Sequence, residues 1–283
     1  MPRIAYVNGR YVPHAGAMVH VEDRGYLFAD GIYEVCLVKD GEILDLDLHL
    51  ERLLRSLGEL RIDTPLSRQS LIVVMREIVR RNHVDFGLLY MQITRGVAHR
   101  DHAFPTGVRP SLVVLAWATD PQRGPMLASK GVKVITVPDI RWRRRDIKSV
   151  SLLPNVLAKQ QAKEAGAYEA WMVDENGYVT EGTSTNAWIV TPDGTIVTRD
   201  LSHAILSGVT RLTALEIARK EGLDFVERPF TVEEALNARE AFQSSTTVLI
   251  IPVVEIDGKK IGNGRPGPIA KKLRAGYGAK YGA

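Results

Sequence analysis

The chain has 283 residues, of which 45% are hydrophobic and 25% are charged, as in an ordinary soluble globular protein. Its 37 basic residues nearly balance its 33 acidic residues, and the resulting net charge of +4 gives no indication of nucleic-acid binding. The single cysteine, Cys36, excludes an intramolecular disulfide and a cysteine-based zinc site. Because the sequence contains no signal segment and no apolar run as long as a membrane span, we expect a cytoplasmic protein.

The first half of the chain alternates hairpins with two amphipathic helices. Asn8-Gly9 is typical of a tight hairpin turn. Asp47 and Ser67 are each placed to cap a helix whose apolar residues recur with helical spacing. Strands are predicted over residues 4–7, 11–12, 31–38, 43–44, 88–94 and 111–116. The polar loop between the last two strands is too long for a simple turn, and loops of this length are often functional.

The second half is predicted to contain more hairpins and three helices. Ser151 is placed to cap the first helix, with Pro154 in its first turn. The second helix covers about 209–220 and the third about 268–274. Strands are predicted over residues 132–137, 170–173, 178–180, 187–190, 195–197, 241–242 and 248–254. Since several strand pairs are hairpins, we expect a mixed α/β (α+β) fold whose sheets are mixed or antiparallel.

The segment 119–125, TDPQRGP, is rich in turn-forming residues and is the predicted linker between two domains. The smaller N-terminal α/β domain would cover residues 1–118, and the larger C-terminal α/β domain would cover 126–283.

Two segments could hold a phosphate group. Residues 207–210, SGVT, lead into a helix, where free backbone N–H groups and the helix dipole favour an anion. Plain helix capping by Ser207 or Thr210 explains this segment equally well. Residues 244–247, SSTT, place four hydroxyls beside an apolar strand, and a turn with internally bonded hydroxyls is the simpler interpretation.

The triplet Arg100-Asp101-His102 in the long loop could bind a carboxylate. Arginine binds a carboxylate with two parallel hydrogen bonds, and a neighbouring histidine can add a third. Alternation along an extended chain would point Arg100 and His102 to the same side. A solvated loop is the alternative from local sequence alone.

The residues around Lys148 do not by themselves distinguish it from a surface lysine.

Seven segments, taken in order, resemble the fold-type IV pyridoxal-phosphate aminotransferases, and most closely the D-amino-acid aminotransferases. They read DRGYLFADGIYEV, LHLERL, TRGVAHRDHAFP, DIRWRRRDIKSVSLLPNVLAKQQA, TEGTSTN, ILSGVTR and SSTT. The similarity covers nearly the whole chain. It implies the two-domain architecture of that family, with the cofactor lysine in the larger C-terminal domain.

The resemblance also implies a role for each matched residue. Lys148 would form the Schiff base with pyridoxal 5'-phosphate and carry the proton between the α-carbon and the cofactor. Glu181 would keep the pyridine nitrogen protonated, and Leu206 would pack on the ring. The implied phosphate ligands are Arg52, Val209, Thr210 and Thr246. The implied trap for the substrate α-carboxylate consists of Tyr33, Arg100 and His102, the last two reaching in from the other subunit of a homodimer.

The expected reaction is ping-pong transamination between a D-amino acid, such as D-alanine or D-glutamate, and a 2-oxo acid, such as 2-oxoglutarate or pyruvate. No metal, nucleic acid or membrane is expected to take part. Three relatives of the same fold remain alternatives: branched-chain L-amino-acid aminotransferases, (R)-selective amine transaminases and aminodeoxychorismate lyase. A binding module that retains the fold is the alternative that is not an enzyme.

Overall fold

The computed structural model describes residues 3–281, which form two compact units. The first unit contains the chain up to Pro121 and the segment Ile147–Ser151, and the second contains Gln122–Asp146 and the chain from Leu152 onward. Lys148 therefore lies with the first unit, whereas the sequence had placed it in the C-terminal domain.

Backbone pairing is the reason for the position of Lys148. The Tyr33 N–H donates to the Lys148 carbonyl at 3.0 Å, and the Val150 N–H donates to the Gly31 carbonyl at 3.0 Å. The segment therefore pairs with a strand of the first unit, and its neighbour Ile147 is buried in the core of that unit.

A six-stranded sheet organises the first unit. Its strands are β1 (Ile4–Val7), β2 (Arg10–Pro13), β3 (Gly31–Lys39), β4 (Glu42–Ile43), β5 (Gly87–Thr94) and β6 (Ser111–Ala118). Their order is β2-β1-β6-β5-β3-β4, and every pair of neighbours is antiparallel. The predicted Asn8-Gly9 hairpin is confirmed, since both residues adopt the positive φ angles that such a turn requires.

Three helices belong to the first unit: α1 (Arg24–Phe28), α2 (Leu46–Leu60) and α3 (Arg68–Arg81). The predicted cap of α3 is confirmed, because the Ser67 hydroxyl accepts a hydrogen bond from the Ser70 N–H at 3.2 Å. The predicted cap of α2 is wrong. That helix begins one residue earlier than Asp47, which lies in its first turn and pairs with Arg68 at 2.7 Å.

The second unit contains a mixed sheet of nine strands. They are β7 (Val132–Pro138), β8 (Glu169–Val173), β9 (Val179–Gly182), β10 (Asn186–Val190), β11 (Ile196–Thr198), β12 (Phe225–Glu227), β13 (Glu240–Ser245), β14 (Leu249–Ile256) and β15 (Lys259–Lys260). The order is β12-β11-β10-β13-β14-β7-β8-β9, with β15 paired to β14. Three of the pairs are parallel: β11 with β12, β14 with β7, and β7 with β8. The expected mixture of antiparallel and mixed sheets is confirmed.

The helices of the second unit are α4 (Arg123–Lys130), α5 (Leu153–Glu164), α6 (Val209–Lys220), α7 (Val232–Leu236) and α8 (Pro268–Lys280). The predicted cap of α5 by Ser151 is wrong, since Leu152 occupies the N-cap position. Helix α4 begins inside the segment predicted as a linker. None of the helices within residues 3–281 has the length and apolar character needed to cross a membrane.

Candidate active site

Lys148 lies against an aromatic pair in the first unit. Its Nζ atom is 4.2 Å from the centre of the Tyr33 ring. Tyr33 in turn stacks on Tyr90, with ring centres 5.7 Å apart. Burial raises the pKa of Tyr90 to about 12, and its hydroxyl donates to Gln92 at 2.6 Å. The amine of Lys148 thus lies over the face of the Tyr33 ring, which rests on the buried Tyr90.

Arg52 is buried, although its place outside the leucine stripe of α2 would have made it a surface residue. Its Nε and one terminal nitrogen donate to the two oxygens of Glu34 at 2.7 Å each, and His49 contacts the same carboxylate at 2.8 Å. Burial alone would raise the pKa of Glu34, but Arg52 and His49 outweigh it and lower the pKa to about 2. A buried charge pair holds the guanidinium in one orientation.

The long loop after β5 places Arg100 and His102 on one aromatic ring. The Arg100 guanidinium is 5.2 Å from the centre of the Phe28 ring, and the His102 ring centre is 5.4 Å from it. Both side chains are exposed in the described chain. The predicted placement of these two residues on one side of the chain agrees with this arrangement, which presents two nitrogen-bearing groups together.

Glu181 lies on β9 in the second unit and is buried. One of its oxygens accepts hydrogen bonds from the Asn186 amide and the Leu206 N–H, both at 3.1 Å. The other accepts from Arg141. Burial raises the pKa of Glu181 above its ordinary value, and Arg141 and the Leu206 N–H oppose that rise. The three donors hold the carboxyl group in one orientation.

A charge network extends behind Glu181. Arg141 also binds Asp139 through two nitrogens, at 3.0 and 2.7 Å, and Thr180 donates to the same carboxylate at 2.7 Å. Arg145 lies 3.2 Å from Asp139. Burial would lower the pKa of Arg141, but Glu181 and Asp139 raise it overall. Arg141 therefore remains charged and favours the ionised form of Glu181.

The start of α6 places the first N–H groups of a helix beside the buried Thr210 hydroxyl. Gly208 occupies the N-cap position and has no side chain that could cap the helix, and the Thr210 hydroxyl makes no capping hydrogen bond within residues 3–281. The first N–H groups of a helix have no intrahelical acceptor. The Thr210 hydroxyl is buried and has no hydrogen-bond partner in the described chain. This donor set matches an anion.

The remaining predicted phosphate ligand, Thr246, lies half-buried in the turn between β13 and β14. On either side of it, the hydroxyls of Ser245, the last residue of β13, and Thr247 are 3.3 Å apart. This contact agrees with the simpler interpretation of the four hydroxyls as a turn, in which some of them bond to one another.

Each unit brings together part of the predicted set. The first unit contains Lys148, Tyr33, Arg52, Arg100 and His102, and the second contains Glu181, Leu206, Val209, Thr210 and Thr246. Sequence reasoning did not identify three residues that bind members of the set: Glu34, Arg141 and Asn186. Arg141 belongs to the basic run before Lys148, and Asn186 ends the TEGTSTN segment. Their positions were therefore visible in the sequence, although their partners were not.

A family model described as amino-transferase class IV matches residues 31–256. The D-alanine aminotransferase of Bacillus licheniformis is 42% identical over 267 residues, which cover 94% of this chain and 93% of that protein. The D-alanine aminotransferase of Staphylococcus haemolyticus is 42% identical over 96% of this chain and 95% of its own length. Among solved structures, a T.th. branched-chain amino acid aminotransferase with pyridoxamine 5'-phosphate has a TM-score of 0.91 at 26% identity, over 100% of this chain and 95% of that one.

Proposed function

Because this chain belongs to the amino-transferase class IV family, we propose that it is a pyridoxal 5'-phosphate-dependent D-amino-acid aminotransferase. Its substrates would be a D-amino acid, such as D-alanine or D-glutamate, and a 2-oxo acid, such as 2-oxoglutarate or pyruvate. The observation that carries the D-specific proposal is the pairing of Arg100 and His102 on Phe28, which suits a carboxylate trap. The D-alanine aminotransferases at 42% identity support it independently.

The residues present fit the phosphate group of the cofactor. The Thr210 hydroxyl lacks an acceptor within residues 3–281, and the N–H groups of Val209 and Thr210 begin helix α6. A phosphate monoester would accept hydrogen bonds from all three. Arg52, held by Glu34, and Thr246 complete the set that we propose.

When bound, pyridoxal phosphate supplies a protonated ring that withdraws electrons from the α-carbon of an attached amino acid. Glu181 would share a proton with the ring nitrogen through a carboxyl oxygen. Arg141 and Asn186 orient that carboxyl group, and the positive charge of Arg141 favours its ionised form. Leu206 would pack on the ring, while its N–H holds Glu181.

The amine of Lys148 would anchor the cofactor and then act as the base. A neutral amine at Nζ would take the α-proton from the substrate and deliver it to the cofactor. The Tyr33 ring, 4.2 Å from Nζ, limits the directions in which the amine can point. Tyr33 would also take part in binding the carboxylate with Arg100 and His102. Because the donor product must leave before the 2-oxo acid binds, the kinetics would be ping-pong.

We propose that the protein is a homodimer in which Arg100 and His102 serve the site of the other subunit. Both side chains are exposed in the described chain, as are several large apolar residues of the same unit. Those apolar residues are Met18, Val19, Val21, Tyr26 and Phe104. Exposed apolar surface of this kind is typical of an interface. Sedimentation velocity would detect the dimer, and a monomer that retains full activity would contradict the proposal. A cytoplasmic location stays a prediction.

The experiment that tests the function is a panel of D- and L-amino acids. Conversion of the cofactor from its aldehyde to its amine form is followed by absorbance, and D-alanine with 2-oxoglutarate is followed by coupled detection of pyruvate. Reaction with L-leucine or L-valine alone would favour the branched-chain alternative. Release of pyruvate from aminodeoxychorismate without an amino acceptor would favour the lyase.

The variant Arg100→Ala tests the carboxylate trap in the same panel. We expect KM for D-alanine to rise at least about tenfold, because a charge-assisted hydrogen bond to the substrate carboxylate is lost. Arg109→Ala is the matched control, since Arg109 is an exposed arginine of the same loop. An unchanged KM in Arg100→Ala would remove Arg100 from the proposed site.

A further inference from the structure

Arg24 is a buried arginine in the first unit to which neither the sequence patterns nor the proposed reaction assigns a role. It is the first residue of α1, and only 3% of its surface is exposed. Its Nε donates to Asp30 at 2.8 Å. A buried arginine is costly unless its donors are satisfied, so its other contacts are informative.

The remaining contacts of Arg24 lead to the loop that carries Arg100 and His102. Its backbone N–H donates to the Gly96 carbonyl at 2.9 Å, near the start of the loop. Its side chain donates to the Asp101 carbonyl at 2.5 Å. Asp101 stands between Arg100 and His102, so Arg24 binds the peptide unit that joins Asp101 to His102.

Arg24 also shares an aromatic partner with those two residues. Its guanidinium carbon is 4.7 Å from the centre of the Phe28 ring, the ring on which Arg100 and His102 also lie. One residue thus contacts both the backbone between Arg100 and His102 and the ring that holds their side chains.

Asp30, which accepts the hydrogen bond from Arg24, is itself bound to the rest of the first unit. Asp30 accepts two further hydrogen bonds from Arg95, at 2.7 and 3.0 Å. Arg95 in turn donates to the carbonyls of Leu60 and Arg61 at the end of α2. Burial would raise the pKa of Asp30, but Arg95 and Arg24 outweigh it and lower the pKa, so the carboxylate stays charged at neutral pH.

We propose that Arg24 is a positioning residue for substrate-carboxylate binding, which it serves by fixing the Arg100-Asp101-His102 triplet against Phe28. The proposal rests on the carboxylate-trap function proposed above. A guanidinium can bind Asp30 and the Asp101 carbonyl simultaneously with different nitrogens, while its flat face lies on the ring. A lysine has a single nitrogen and cannot reproduce this geometry.

The test is Arg24→Lys in the full-length holoenzyme. We expect KM for D-alanine to rise about tenfold while kcat changes by less than about twofold, because the binding of the carboxylate is loosened and the reacting groups are untouched. The inhibition constant of propionate, an unreactive carboxylate, should rise by the same factor. Arg274→Lys is the matched control, since half-buried Arg274 also donates to backbone carbonyls, those of Val248 and Ile250. It should leave both constants unchanged.

A double-mutant cycle separates positioning from a general loss of structure. In an Arg100→Ala/His102→Ala background, Arg24→Lys should cause no further change in the propionate constant, because the groups it positions are gone. If Arg24→Lys raises the propionate inhibition constant in that background by the same factor as in the wild type, the proposal is overturned. If Arg24→Lys does not fold, Phe28→Leu removes the shared ring without exposing a buried charge, and its KM for D-alanine should also rise.

The outcomes distinguish the two proposals. A rise in KM with Arg100→Ala but not with Arg24→Lys or Phe28→Leu overturns the role of Arg24 and leaves the function standing. Transamination of D-alanine that is unaffected by Arg100→Ala overturns the trap, and the role of Arg24 with it.

Discussion

Replacing Thr210 by valine should affect the cofactor-free and cofactor-bound proteins in opposite ways. The Thr210 side chain is 2% exposed, and its hydroxyl has no hydrogen-bond partner within residues 3–281. Valine has the same shape and replaces the hydroxyl with a methyl group. Leaving a buried hydroxyl unpaired costs about 1–3 kcal/mol, so the cofactor-free Thr210→Val protein should be as stable as the wild type or up to about 1 kcal/mol more stable.

The affinity for the cofactor should change in the other direction. A hydrogen bond to a charged group contributes about 1.5–3 kcal/mol, so loss of the bond to the phosphate should weaken cofactor binding roughly 10- to 100-fold. Urea unfolding of the cofactor-free protein measures the change in stability. Titration with pyridoxal phosphate, followed by tryptophan fluorescence, measures the change in cofactor affinity.

Thr198→Val is the matched control for this experiment. Thr198 is also buried in the second unit, but its hydroxyl donates to the Ala187 carbonyl at 3.0 Å. This variant should lose about 1 kcal/mol of stability and keep its cofactor affinity. If Thr210→Val were destabilised as much as Thr198→Val and bound the cofactor normally, the Thr210 hydroxyl would not be a phosphate ligand.

Two further predictions concern stability. The pKa of Glu34 in the folded protein, about 2, lies below its ordinary value of 4.5, so its stabilising contribution is present above pH 4.5 and is lost as the pH falls toward 2. Between about pH 6 and pH 3 the wild type should lose about 2 kcal/mol of stability. Glu34→Gln, which lacks the charge pair with Arg52 at every pH, should not show this loss, and equal losses of the two proteins in urea unfolding would contradict the prediction. Gly208→Ala would place a Cβ 2.0 Å from the Asn186 amide oxygen and should cost about 1–3 kcal/mol in thermal unfolding. Gly58→Ala, with nothing within 4 Å of the new carbon, should not destabilise.

The predictions that rested on local interactions were the most accurate. The Asn8-Gly9 turn, the Ser67 cap and the bounds of α6 are all confirmed. Each depends on residues that are close in the chain, so short-range backbone preferences determine it. The caps assigned to Asp47 and Ser151 were wrong because these helices begin at other residues than the cap pattern indicates. Their N-cap residues, Asp45 and Leu152, make no side-chain capping hydrogen bond.

The candidate site illustrates the opposite case. Arg52 lies outside the leucine stripe and would have been placed on the surface, yet it is buried because Glu34, eighteen residues earlier, neutralises its charge. Arg141 was one of several arginines in a basic run until the structure paired it with Glu181 and Asp139. Long-range charge pairing leaves no periodic signal, so local sequence patterns could not identify either partner.

By itself, the sequence determined the element order, the hairpins, the mixed sheets and, through ordered motifs, the family. The tertiary structure decided which polar side chains are paired and which are not. It placed Lys148 on the Tyr33 ring, surrounded Glu181 with three donors and joined Arg24 to the loop of Arg100 and His102. Among residues 3–281 it gave the Thr210 hydroxyl no hydrogen-bond partner. The physical reason is that strand and helix preferences act over a few residues, whereas burial and charge pairing depend on residues that only folding brings together.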